Sequence, residues 1–191
     1  MKRLFVAPVL LIWMLLLPVG VFGQAVVDGN FVYTLSGTEA TLIGALTPAS
    51  GDVVVPSTMQ HGGTTYDVTA ISWNDPLCVS PYKTFYDASS TTSMSAPSIK
   101  RIVGHTISDL INFGPQNEET MFLGGPIVSI DFPNLELIKD CGFINGCNSL
   151  TSVSIPKTVT DLGDWIFENC GNLEEVTYGP KTLKASLFNN C

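Results

Sequence analysis

The residues able to do chemistry in this chain are few and widely spaced. Its two histidines, His61 and His105, lie outside any recognisable catalytic motif. A Ser–His–acid triad would need one of them as its base, and the G-x-S-x-G turn that presents a serine nucleophile is missing. The glycine-rich loops that cradle phosphates, G-x-x-x-x-G-K-[ST] and G-x-G-x-x-G, are missing too. Two carboxylate pairs could in principle flank a glycosidic bond: Asp161 with Asp164, and Glu174 with Glu175. Adjacent residues on a strand point to opposite faces, so Glu174 and Glu175 do not converge. Asp161 and Asp164 read as a solvated edge. The D-x-D-x-D-G calcium loop is not present. Five cysteines occur, at positions 78, 141, 147, 170 and 191, and an odd count leaves one unpaired within the chain. They form no C-x-x-C pair, so a zinc site has little support. The expectation is a protein without catalytic residues, metal or cofactor.

Charge narrows the partners. Nine basic residues stand against 17 acidic ones, a formal net charge of −8 at pH 7. A surface this acidic repels phosphate backbones, which argues against nucleic acid. The same sign argues against docking on anionic lipid.

Internal repetition organises the second half. Leu150, Val153 and Ile155 recur as Leu173, Val176 and Tyr178, and Cys147 recurs as Cys170. Stepping backwards gives Ile127, Ile130 and Phe132, with Gly124 in the cysteine column. The period of about 23 lies within the 20–29 residues of leucine-rich repeats. A further copy is read at Ile99 and Ile102, displaced by an insertion, and the aromatic before the cysteine recurs as Phe143, Phe167 and Phe188. Each repeat would form one coil of a solenoid, since no coil buries its apolar side alone. In the short strand L-x-x-V-x-I the apolar residues point inward, and Ser152 and Ser154 alternate outward. Pro156 ends that strand, because it cannot donate to a ladder. By the same phase the outward positions are Arg101 and Val103, Ser129 and Asp131, Ser152 and Ser154, Glu175 and Thr177. The cysteine column of Cys147, Cys170 and Cys191 has two readings. Stacked coils bring such residues about 5 Å apart, within disulfide reach. Buried thiols filling a corner are the favoured alternative, since free cysteine is among the most buried residue types.

The segments "INGCNSLTSVSIPKTVTDLGDWIFENC" and "FENCGNLEEV" resemble BspA-type leucine-rich repeats, whose pattern is approximately F-x-x-C-x-x-L-x-x-V-x-I-P-x-x-V-x-x-I-G. The match is close from Phe143 to Cys170, with one inserted residue between Phe143 and Cys147. It is looser from Ile99 to Leu137 and after Gly179. What the resemblance implies is surface display and adhesion to proteins of a host or neighbouring cell.

The first half reads as short strands separated by glycine turns, "NFVYTL", "EATLIGAL", "GDVVVPSTM" and "TTYDVTAI", which suit antiparallel hairpins. "VVVPSTM" looks like a degenerate first strand–Pro unit of the repeat. The extreme N-terminus has a signal-peptide pattern: Lys2 and Arg3, then apolar Leu4 to Leu17, then small Gly23. The apolar run of about 14 residues is short of the roughly 20 that span a bilayer. Cleavage near Gly23 would remove two basic residues and no acidic one, leaving −10, with no integral membrane segment expected afterwards.

The organisation expected is a signal peptide over 1–23, a β-rich cap over 24–71, an insertion loop over 72–97, and repeats over 98–191 without a closing coil. A second insertion runs from Gly104 to Thr120. The fold class is a β-rich leucine-rich-repeat solenoid with an N-terminal antiparallel cap. The function expected is a secreted or cell-surface binding and adhesion module. Its partner would be a protein or glycan on another cell or in the extracellular matrix, met on the repeat sheet through Arg101, Ser129, Asp131, Ser152, Ser154, Glu175 and Thr177. The alternatives are a secreted carbohydrate-active β-helix enzyme and a structural spacer in a larger surface protein.

Overall fold

A computed structural model of the chain describes residues 24–47, 49–73, 75, 90–104, 120–139, 142–162, 166–180 and 187–191. The expected signal peptide, most of the first insertion and the interior of the second lie outside these residues. Among the described residues every regular element is a strand.

The chain opens with three strands, β1 (Val26–Asp28), β2 (Phe31–Ser36) and β3 (Glu39–Ala45), paired antiparallel in sequence order. β2 buries the adjacent Val32 and Tyr33, where its pairing with β3 shifts register, and β3 buries Ala40 and the run from Leu42 to Ala45. Burial, and then the nearby Asp28, push the ionisation of Tyr33 well above its ordinary range. Next come β4 (Ser50–Val54), β5 (Thr58–His61) and β6 (Thr64–Trp73), where β5 and β6 form a hairpin across Gly62-Gly63. The expected antiparallel pairing is present in β1–β2–β3 and in β5–β6, whereas β3 and β6 pair in parallel. The strand–Pro unit is present as well, because β4 does not join a hairpin but pairs in parallel with a later strand.

From β4 onward the chain winds in coils with three strand positions. The first face holds β4, β7 (Ser90–Ser95) and β10 (Ser129–Asp131) in one parallel sheet, continued by the parallel pair β13 (Ser152–Ile155) and β16 (Glu175–Tyr178). The second face runs β3, β6, β8 (Arg101–Gly104), β11 (Leu137–Lys139) and β14 (Asp161–Leu162), all in parallel. The third face runs β9 (Thr120–Leu123), β12 (Gly142–Asn145), β15 (Phe167–Glu168) and β17 (Phe188–Asn189). The antiparallel β1–β2–β3 unit covers the first edge of the second face, which a solenoid needs at its open end.

The sequence dictates where each coil turns. Along β13 exposed and buried residues alternate, so Val153 and Ile155 face the interior while Ser152 and Ser154 face solvent. A proline follows the last inward residue of successive first-face strands: Val55-Pro56, Ala96-Pro97, Phe132-Pro133 and Ile155-Pro156, with all four inward residues buried. The missing N–H stops the ladder there and the chain turns to the second face. The opposite corner needs a left-handed backbone. Gly124, Gly146, Asn169 and Asn190 occupy it with φ of 59°, 68°, 53° and 56°, a region that glycine enters freely and asparagine tolerates better than other side chains.

Two sequence expectations shift at this level. The end of the 72–97 segment, expected as loop, is strand β7, which sits between β4 and β10 with Met94 and Ala96 buried. The copy read at Ile99 and Ile102 belongs to the second face, where Ile102 is in register with Ile138, itself in register with Leu162. The reason is a degeneracy in the coil. An apolar-x-x-apolar step occurs twice per turn, as Leu150…Val153 and again as Val159…Leu162, and the two are indistinguishable by spacing alone. A third shift follows from the third-face register. Ile144, not Phe143, pairs with Phe167, so no inserted residue precedes Cys147. The column position filled by Cys147 is then filled one coil earlier by Gly125 rather than Gly124.

Candidate binding face

The first face presents two columns of outward side chains. One runs Asp52, Ser93, Ser129, Ser152, Glu175; the other runs Val54, Ser95, Asp131, Ser154, Thr177. Strand pairing sets the spacing, about 4.8 Å between coils. None of the five strands contains Lys, Arg, His, Phe or Trp. Asp52 accepts hydrogen bonds from the Ser93 hydroxyl at 2.6 Å and the Thr92 hydroxyl at 3.0 Å. These two bonds, Ser93 first, hold its carboxyl below the ordinary range. Val54 remains 64% exposed at the early edge of the face.

The regular ladder breaks once on this face. β4–β7–β10 forms one sheet and β13–β16 another, and among the described residues no strand pairing joins β10 to β13. At this seam lies a shallow depression of about 240 Å³ lined by Ser129, Ile130, Ser152, Val153, Ser154, Glu175 and Thr177. The structure thus gathers Ser129, Ser152, Ser154, Glu175 and Thr177 around one recess, with Asp131 exposed two residues beyond Ser129 on β10. Arg101 is elsewhere. It lies on β8 of the second face, where its guanidinium is 3.3 Å from the Glu39 carboxylate, each side chain about half exposed. Its assignment to the repeat sheet is corrected by the degeneracy described above. The first-face residues of that coil are Ser93 and Ser95. The strand-and-proline pattern of "SMSAP", the same as in "SVSIP", is the signal that finds them.

The cysteine corner is built for packing. Cys147 and Cys170 are buried, Cys191 is exposed, and all three are free thiols, so no disulfide joins the column. Cys78 and Cys141 lie outside the described residues. Burial raises the Cys147 thiol, and burial raises the Cys170 thiol to about 11, with smaller contributions from Cys191 and Cys147. Both stay protonated at neutral pH, which makes them poor nucleophiles. The Cys147 thiol lies 3.7 Å from the Asn145 carbonyl and the Cys170 thiol 3.4 Å from that of Glu168. Beside them amides are linked across coils: Asn190 Nδ2 donates to Asn169 Oδ1 and Asn169 Nδ2 to Asn145 Oδ1, both at 3.1 Å. On the adjoining third face the rings of Phe167 and Phe188 stack 5.3 Å apart and 8° from parallel.

Asp161 is on the second face and exposed, Glu174 lies just before β16 and is exposed, and Asp164 is outside the described residues. His61 is exposed on β5 and His105 is outside the described residues. Among the described residues no group of three His, Cys, Asp or Glu side chains could hold a metal ion.

Residues 117–191 match a family model described as "BspA type Leucine rich repeat region (6 copies)". Over residues 117–191 the repeats are of the BspA leucine-rich type. Several solved structures share the fold. The pneumococcal vaccine antigen PcpA superposes with a TM-score of 0.51 at 19% identity, over 83% of this chain and 39% of that one. A leucine-rich repeat protein from Bacteroides ovatus gives 0.51 at 20% identity, over 87% and 45%. One from Bacteroides capillosus gives 0.50 at 17% identity, over 81% and 97%. The chain therefore spans less than half the length of the first two and nearly all of the third. A search of curated proteins finds no match. In the BspA-type coil the Pro-marked strand is the first face, and the F-x-x-C segment supplies the third face and its corner.

Proposed function

We propose that this BspA-type repeat protein is an exported binding module that meets a macromolecular partner on its first face and performs no chemical turnover. The single observation that carries the reading is the first face itself: parallel strands whose outward columns are polar except for Val54, and exposed or half-exposed. Side chains that contribute little to folding are free to vary for recognition, and extended sheets of solenoids are used that way. Five strands about 13 Å long at 4.8 Å spacing span roughly 300 Å². A stable interface buries about 800 Å² per partner. The first face alone therefore suits a weak, reversible contact, with adjoining corners adding area to it.

Export rests on Lys2, Arg3 and the apolar Leu4–Leu17 run, with removal near Gly23. Among the described residues no helix is long and apolar enough to cross a membrane. A protein or glycan of another cell, or of the extracellular matrix, is the partner class that fits. The pneumococcal neighbour is described as a vaccine antigen, which accords with exposure at a cell surface. The test is a pull-down of matrix and cell-surface proteins and glycans, run beside a panel of hydrolase substrates. Reproducible capture without turnover supports the reading. Turnover that one carboxylate substitution abolishes would replace it with an enzyme.

A further inference from the structure

We propose that the first face recognises a cationic polypeptide segment, whose Lys or Arg side chains seat in the recess between β10 and β13. This deepens the reading of the first face as the binding surface and rests on it.

Charge comes first. The strands of the face supply carboxylates at Asp52, Asp131 and Glu175 and hydroxyls at Ser93, Ser95, Ser129, Ser152, Ser154 and Thr177, and they carry no cation. Carboxylates only accept hydrogen bonds, so the complementary partner brings donors. Asp52 already has two hydroxyl partners. Among the described residues neither Asp131 nor Glu175 has a salt-bridge partner. The whole chain, at −8, repels an anionic ligand. Tyr178, the one aromatic residue on these strands, is in the inward phase with Ile155, so a neutral sugar would find no outward ring to cover its apolar face.

The shape of the recess supports the same occupant. Its walls include Ile130 and Val153 as well as the hydroxyls of Ser129, Ser152, Ser154 and Thr177, with the Glu175 carboxylate at one side. Lys and Arg are amphipathic in this sense, an apolar stem with a charged head. The stem lies over the strand backbone at Ile130 and Val153, whose side chains are in the inward phase, and the head reaches Glu175 and the hydroxyls. The recess exists because the strand ladder is interrupted between β10 and β13. The second-face cations Arg101 and Lys139 stand on other strands than those that line the recess.

The experiment titrates the purified protein with three probes: a twelve-residue peptide alternating Arg and Ser, its Glu-for-Arg counterpart, and a neutral cello-oligosaccharide. Calorimetry at low and physiological salt reads the affinity. The expected result is binding of the Arg peptide alone, weakened at least about fivefold by salt, since exposed charges are screened beyond about 8 Å at 0.15 M. Glu175→Lys and Ser152→Lys should each weaken it at least about tenfold. Both positions are exposed, and an unchanged urea midpoint confirms the fold. Glu136→Lys changes net charge as much as Glu175→Lys but precedes β11 of the second face. It should leave the affinity within about twofold. Equal weakening by Glu136→Lys would reduce the effect to general attraction and overturn the proposal. Binding of the sugar instead, or no binding of the Arg peptide, would also overturn it. In those cases a partner captured in the pull-down and lost in Ser152→Lys would leave the first face as the binding surface, with a different partner chemistry.

Discussion

The first face and the cysteine corner are made by the same coils and are built for opposite ends. On the first face most outward residues are exposed, and the columns mix small hydroxyls with carboxylates: Ser129 and Ser152, then Glu175 in one, Asp131, then Ser154 and Thr177 in the other. At the corner the side chains point inward or into one another. Cys147 and Cys170 are buried, and Asn145, Asn169 and Asn190 are linked across coils. The difference teaches where this repeat keeps its stability and where it is free to recognise something. Inward columns and corners hold the coils together, and the outward columns are left to vary.

The largest break in that comparison comes from the inward column. Leu150 is fully buried beside the corner turn, where its N–H bonds the Cys147 carbonyl at 3.2 Å. Leu150→Ala should cost about 2–5 kcal/mol in a urea melt, the range for a buried leucine truncation. Ser152→Ala, two residues on and exposed, should stay within about 0.5 kcal/mol. Equal effects would show that strand phase does not separate the two roles.

Next in size is the close approach where the last first-face strand leaves the sheet. Gly179 donates to the Ile155 carbonyl at 3.0 Å. A methyl group there would overlap the Lys157 backbone nitrogen. Gly179→Ala should destabilise by about 1–3 kcal/mol, as overpacking does. A melt unchanged by this substitution would mean that the coils can separate locally at little cost.

The corner itself gives a smaller effect. Asn169 has φ of 53°, donates a side-chain hydrogen bond to Asn145 and accepts one from Asn190. Asn169→Ala loses those bonds and adds strain, for about 1–2 kcal/mol. Asn169→Gly keeps the backbone conformation and should recover part of the loss. The order Asn, Gly, Ala in midpoint is the check.

The weakest sharpening comes from pH. Burial raises the Cys170 thiol from 9.0 to about 11, so between those values the folded state holds a proton that the unfolded chain releases. Stability from this group is present below about pH 9 and falls as pH rises toward 11. The stability difference between the native protein and Cys170→Ala should therefore shrink across that window. A constant difference would mean that the thiol titrates alike in both states.

Much of this was legible in the sequence, and unevenly so. The period, the inward residues of the last coils and the proline corners could be read because Leu150, Val153, Ile155 and Pro156 constrain the phase together. The second face could not be phased, because Ile99…Ile102 has the spacing of either strand, and Arg101 was carried onto the wrong face. The Ser/Thr-rich strand β7 was hidden for a related reason. Its inward positions are Thr91 and Met94 where later coils have Ile, Leu and Val, so its hydrophobic period is faint. At the corner the first aromatic position is taken by Ile144, and the adjacent Phe143 drew the alignment off by one. The interruption between β10 and β13, which makes the recess, depends on backbone pairing between coils and left no trace in residue type.

The most direct test of the account compares two double variants in partner capture from matrix and cell-surface extracts. One carries Ser129→Lys with Ser152→Lys on the first face; the other carries Glu136→Lys with Asp67→Lys, both outside it. All four positions are exposed, and melts establish that each variant is folded. The account predicts that the first variant loses the captured partner and the second retains it. Retention by the first variant, or loss in the second alone, would contradict the assignment of binding to the first face.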